Sequence, residues 1–251
     1  MSKSHGSHGS GLSAFNLTDA VEIKVTIRPD QELRAERAME VNEDSASVRL
    51  IYFFETPELD LFDAGIALRA RLVKGDADNS TVKFRSERIE MVAPEWYRSE
   101  GFKVEADWVG DRAVYSVSLT REQGRNEIQN VAKGDRAIDK LFSKDQERFF
   151  KEVYRGPIDF PQLRVMGPIR ALRWKMKYPG FPHQLSVEEW RLPNGDDLVE
   201  VSIKVAPAEA LEARTAFEEL LVTLGLDPKG AQETKTRTAL KYFAEVTKEP
   251  A

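Results

Sequence analysis

Arginine and lysine recur at alternate positions in several short runs of this 251-residue chain. Arg69 and Arg71 share one face of the run Ile66–Val73, while Ile66, Leu68, Ala70 and Leu72 share the other. Two guanidinium forks on one strand face, beside a turn set by Thr56-Pro57 and Gly65, suit a multiply charged oxygen anion. Lys83 with Arg85, and Arg173 with Lys175 and Lys177, repeat the spacing. Glu22 with Lys24, and Glu200 with Ser202 and Lys204, mix acids into it. On these residues alone, a strand with its charged face in water is the simpler account.

Other chemistries are poorly supplied. There is no cysteine, which excludes a thiol nucleophile, a disulfide scaffold and cysteine-held metal. Of three histidines, His5 and His8 lie in the low-complexity opening, and only His183 is left for the body. A histidine-based triad or metal site is therefore unsupported, and no G-x-G-x-x-G, Walker loop or H-E-x-x-H occurs. A net charge of −5 argues against a nucleic-acid polymer as partner. No apolar run reaches membrane-spanning length, and the N-terminus lacks a signal peptide's apolar core, so a cytoplasmic protein is expected.

The elements that must position these side chains are mostly strands. Period-2 runs fall at 20–27, 48–54, 66–73, 81–85, 102–109, 113–119, 169–177, 185–192 and 198–205. Asn194-Gly195 predicts a hairpin between the last two, and Gln31–Val41 reads as a short helix. Residues 120–154 lose the alternation and carry apolar residues at helical spacing, from Ile128 to Phe150. Gly156-Pro157 and Gly167-Pro168 read as loops on either side of Gln162–Met166. Pro207 opens a helix with Leu211, Phe217, Leu220, Leu221 and Leu224 on its stripe and Gly225 as its cap. Asp227-Pro228 opens a second helix, to about Val246, with Leu240 and Phe243 inward. The predicted divisions are a disordered leader at 1–11, a strand-rich domain at 12–206 with its helical insert, and C-terminal helices at 207–251.

At least five strands oppose an apolar face to a charged one, and the helices carry apolar stripes that must cover something. If the helices wrap the outside of a closing sheet, the charged faces converge inside a barrel. A water-filled tunnel that binds a polyanion accounts for so many inward charges.

The run Tyr52-Phe53-Phe54-Glu55-Thr56-Pro57, with Leu61, Gly65 and Leu68-Arg69-Ala70-Arg71, resembles the signature of the CYTH superfamily, the triphosphate tunnel metalloenzymes. Val82-Lys83-Phe84-Arg85, Arg173-Trp174-Lys175 and Val199-Glu200-Val201-Ser202 follow in the family's order, over roughly Ala20–Val205. The resemblance implies an α+β fold, a closed eight-stranded antiparallel barrel wrapped by helices. It also implies metal-dependent hydrolysis of inorganic triphosphate, thiamine triphosphate or a nucleotide. In that scheme Arg69, Arg71, Lys83, Arg85, Arg173 and Lys175 clamp phosphate. Glu22, Glu200 and Glu188 hold Mg²⁺ or Mn²⁺, and Lys24 positions the attacking water.

Two departures bear on that scheme. The family's E-x-E-x-K would place glutamate at 20, where this chain has Ala20, and the later E-x-E reads Glu200-x-Ser202. Each removes a metal ligand or a supporting acid. The alternative is a noncatalytic module for polyphosphate or an organic phosphate that has lost metal ligands.

Overall fold

The computed structural model describes residues 18–86, 92–110, 112–231 and 233–248; the leader expected at 1–11, with His5 and His8, lies outside them. Its strands are β1 (Ala20–Thr26), β2 (Ser47–Glu55), β3 (Ile66–Val73), β4 (Asn79–Ser86), β5 (Phe102–Val109), β6 (Arg112–Glu122), β7 (Arg164–Lys177), β8 (Gln184–Arg191) and β9 (Asp197–Val205). They close into one barrel in the order β1-β5-β6-β4-β3-β2-β7-β8-β9.

The closed barrel agrees with expectation, but its count is nine rather than eight. Nine is the number of period-2 runs in the sequence; eight came from the family resemblance. The count also decides direction. An odd ring cannot alternate strand direction all the way round, so one neighbouring pair must run parallel. That pair is β1 and β5, with Glu22 beside Asp107 and Lys24 beside Val109. The other neighbours pair antiparallel.

Helices cover the apolar outer face. The insert forms α3 (Glu127–Ala132) and α4 (Lys144–Val153), joined by a 3-10 turn at Ile138–Leu141; α1 is Glu32–Ala38 and α2 Asp60–Asp63. Ile128, Val131, Phe149 and Phe150 pack in one core with the outward residues Leu68, Val82, Val117 and Leu119. Gln146 fastens α4 there, because its buried amide donates to the Ser80 and Leu119 carbonyls, each at 3.1 Å. On another side α5 (Ala210–Thr223) sets Ala213, Phe217 and Leu221 against Val21, Ile23, Val201 and Ile203. Leu211 is 55% exposed rather than on the stripe.

The last helix, α6 (Lys235–Lys248), begins later than predicted and takes a different side. Its Ala239, Leu240, Phe243 and Ala244 pack with Ile51, Phe53, Ile169, Ala171 and Trp190. By parity those strand residues share the barrel's inner face with Arg49, Arg173 and Glu188. So α6 plugs one end of the barrel instead of wrapping it, and Leu240 and Phe243 do point inward.

The Thr56–Gly65 turn is held by a buried acid. The Glu55 carboxylate accepts N–H groups from Thr56 at 2.8 Å, Leu61 at 3.0 Å and Phe62 at 2.7 Å. Burial pushes its carboxyl up, and those bonds pull the other way. Gly167-Pro168, expected as a loop, lies inside β7 beside a register shift against β2. Gly167 has φ +139, and a Cβ there would sit 2.8 Å from the Ile51 carbonyl oxygen, so a bare backbone keeps the two strands together. Gly65 has φ +80, and a Cβ there would come 2.5 Å from the Arg85 carbonyl oxygen. Gly65→Ala is therefore expected to destabilise the protein by roughly 2 kcal/mol or more in urea unfolding; an unchanged midpoint would refute this account of the turn.

Candidate functional site

The inner faces of all nine strands and the start of α6 enclose a cavity of about 710 Å³. Arg69 and Arg71 enter from β3 beside Arg49 of β2; Lys83 and Arg85 come from β4, Glu105 and Asp107 from β5, and Glu22 and Lys24 from β1. Arg173 comes from β7, Glu188 from β8, Glu200 and Ser202 from β9, and Lys235 and Arg237 from α6. Arg69, Lys83 and Arg173 thus face one space, which overturns the reading of separately solvated strand faces. Lys175 does not join them: it is exposed at the rim and lines an outer hollow with Met39 and Trp174.

The lining holds twelve lysines and arginines against six acids, in a chain whose whole net charge is −5. Its charges divide into two groups. In the first, acids lie in ion-pair contact with cations. Asp107 receives Lys24 at 2.9 Å, Lys83 at 3.1 Å and the Arg85 Nε at 3.6 Å. Burial alone would raise its carboxyl, but these three cations hold it well below the usual range. Lys24 also reaches Glu22 at 3.2 Å. That contact lowers Glu22, and Asp107 and Glu22 together raise Lys24 in spite of its burial. Across the cavity, Lys235 bonds Glu188 and lies 3.1 Å from Glu200.

The second group is arginine without acid. Arg49, Arg69, Arg71 and Arg173 form no ion pair among the described residues, although Arg173 donates to Ser186 Oγ at 2.9 Å. The Nε atoms of Arg49, Arg69 and Arg71 are buried with no hydrogen-bond partner. Each of these three guanidiniums is pushed down: Arg71 chiefly by Arg69 and then by burial, Arg69 by burial to about 10, and Arg49 by burial. Guanidinium stays protonated in proteins, so the downward push reflects the burial of these charges and their crowding by one another. An oxyanion lying between them removes that cost and satisfies the idle donors.

The acids do not offer a metal the same welcome. Among the described residues no three histidine, cysteine or carboxylate groups gather where they could hold an ion. Glu22 is taken by Lys24, and Glu188 and Glu200 by Lys235. As folded, this donor set does not fit Mg²⁺ or Mn²⁺.

Arg49, Lys235 and Arg237 were missed by the sequence reading. Arg49 was within reach, since Phe53, Ile51 and Arg49 alternate on β2. Lys235 was not, because helical spacing does not tell which way the first turn of a helix is aimed. Asp107 is the most heavily paired acid in the cavity.

No protein-family model and no curated protein matches the sequence. Solved structures do share its fold. One is a candidate adenylate cyclase from Bacillus halodurans, 15% identical with a TM-score of 0.60, covering 87% of this chain and 96% of that one. Another is a candidate adenylyl cyclase from Hippeastrum, reported to have a dominant triphosphatase activity; it is 16% identical with a TM-score of 0.58 and covers 87% of this chain and 93% of that one. At such identity the likeness is one of fold alone.

Two outcomes follow from the electrostatics. Arg71→Met removes a buried charge crowded by Arg69, so the ligand-free protein should gain stability, by about 1–3 kcal/mol in denaturant; a loss would show the arginines to be structurally paired. Lys83, held near Asp107, Arg85, Lys24 and Glu105, is pushed by burial down to about 8. The folded protein then binds fewer protons than the unfolded chain between about 8 and 10.5, so ligand-free stability rises with pH through that window. Affinity for tripolyphosphate should fall as pH rises past about 8, because the anion needs the ammonium. Calorimetric titrations on both sides of that pH, compared with Lys83→Met, test this; identical pH profiles in the two proteins would refute it.

Proposed function

We propose that the barrel is a receptor for a linear triphosphate or short polyphosphate, free or carried on a small organic group. The observation that carries this reading is the set of four enclosed arginines, Arg49, Arg69, Arg71 and Arg173, which form no ion pair among the described residues. Spread over three neighbouring strands, they offer donors to several phosphoryl groups in a row, where a single anion would need only one or two. Lys83 and Arg85 add charge from the next strand. A volume near 710 Å³ is that of a small-molecule site, and enclosure within an acidic chain supports a small ligand over a nucleic-acid polymer. No helix of the described residues is long and apolar enough to cross a membrane. A chain without cysteine has no disulfide to lose in a reducing compartment, and the cytoplasm is the setting we assign.

Hydrolysis is the second reading, supported by the shared fold with a protein reported to have triphosphatase activity. In that reading Lys24 acts as a donor that orients water or a phosphoryl oxygen. It does not act as a base, because Asp107 and Glu22 hold its proton. No step through a metal is derived, since the acids are engaged by lysines.

Tripolyphosphate is expected to raise the melting temperature of the full chain in EDTA, and Arg69→Ala to abolish the shift. Absence of any shift, with or without Mg²⁺ or Mn²⁺, would overturn the binding reading. Phosphate release from tripolyphosphate, thiamine triphosphate or ATP decides the second: turnover lost in Lys24→Met supports it, and no turnover of any of the three removes it.

A further inference from the structure

Glu188 and Glu200 stand directly opposite each other on β8 and β9. Facing carboxylates repel and destabilise a sheet unless a cation lies between them. Here that cation comes from the chain itself. The Lys235 ammonium bonds Glu188, lies 3.1 Å from Glu200 Oε1 and sits 4.8 Å from the centre of the Trp190 ring. Lys235 is 5% exposed. It is the first residue of α6, whose Leu240 and Phe243 are seated in the apolar end of the barrel.

We propose that Lys235 is the resident cation of this carboxylate pair, standing where a divalent metal would otherwise sit, so that the cavity binds its phosphate chain without one. The inference rests on the triphosphate-binding reading and sharpens it. An ammonium tethered through a packed helix is present at every encounter, with none of the entropy that capturing a free ion costs. It leaves the pair one negative charge, and the arginines of β2, β3 and β7 face that remainder with a larger positive excess. A metal could enter only by driving a buried ammonium off both acids, which would strand it in the cavity wall beside Trp190. Lys235 is thus a positioning residue. It fixes Glu188 and Glu200 and keeps them from other cations.

The test uses the full chain and two probes, Mn²⁺ alone, followed by electron paramagnetic resonance and calorimetry, and tripolyphosphate in EDTA, followed by thermal shift. The wild-type protein should bind no Mn²⁺ that depends on Glu188 or Glu200, and should be stabilised by tripolyphosphate in EDTA. Lys235→Met, which keeps the apolar stem, should bind Mn²⁺ at least about tenfold more tightly than wild type. Adding Glu200→Gln to that variant should erase the gain, and Lys235→Arg should behave as wild type. Stoichiometric Mn²⁺ binding by wild type that Glu188→Gln abolishes would overturn the proposal. So would a thermal shift seen only with Mn²⁺, or a folded Lys235→Met with no gain. If Lys235→Met does not fold, the two wild-type measurements still decide. Tripolyphosphate that shifts nothing under either condition sinks the binding reading itself, while the Mn²⁺ titrations continue to judge Lys235.

Discussion

Like charge enclosed without its counterion is the constraint on which the rest of this structure depends. Arg49, Arg69, Arg71 and Arg173 project into one cavity and form no ion pair with its acids among the described residues. Even with water present, each such guanidinium costs on the order of kcal/mol, against a typical net stability of about 5–15 kcal/mol for a whole domain. The fold can carry that load only because its stabilising contacts lie elsewhere, in the outer shell where α3, α4 and α5 cover the apolar strand faces. The apolar wrapping is what allows the interior to be polar.

The nine-strand count has a matching consequence for the interior. An eight-stranded barrel is about as wide as its own side chains can fill, and a wider ring leaves space. The chain divides that space by depth. At one end, Ile51, Phe53, Ile169 and Trp190 turn an apolar lining toward α6, which fills it with Leu240 and Phe243. At the other, the same strands change to arginine and glutamate and the space stays open. Strand β2 shows the change within a few residues, passing from Phe53 through Ile51 to Arg49 along one face.

Much of this was legible before any coordinates, and the reason is parity. Alternation assigns each strand residue to a face, so Arg69, Arg71, Lys83, Arg85 and Arg173 were grouped correctly from the sequence alone. Lys175 shows where parity stops: it has the right face, opposite Ser186, but lies too far along the strand to reach the cavity. The position of α6 was illegible for a different reason. An amphipathic helix announces that it will cover an apolar surface, yet both the outside of this barrel and one end of its inside are apolar. The eight-strand expectation failed because it was carried over from likeness, while the runs in the sequence already numbered nine. The Gly167-Pro168 pair was read as a loop because local chemistry does not reveal that a neighbouring strand needs a bare backbone at that place.

Lysine and arginine are not used alike in this interior, and the difference explains the arrangement better than net charge does. The acids of the cavity are met by lysine from elsewhere in the wall: Asp107 by Lys24 and Lys83, Glu105 by Lys204, and Glu188 and Glu200 by Lys235. Arg85 also approaches an acid, but at 3.6 Å it is the longest of the Asp107 contacts. A compact ammonium satisfies a carboxylate from almost any direction, whereas a planar fork is wasted on one. With lysines closing the acids, the forks of Arg49, Arg69, Arg71 and Arg173 stay unclaimed and aimed across the cavity. Replacing any of those lysines with a neutral residue would therefore do more than subtract a charge: the freed carboxylate would compete with the ligand for the nearest arginine. Under the proposed reading, selectivity of this interior for a phosphate chain would rest on the pairing of its acids as much as on the supply of its cations.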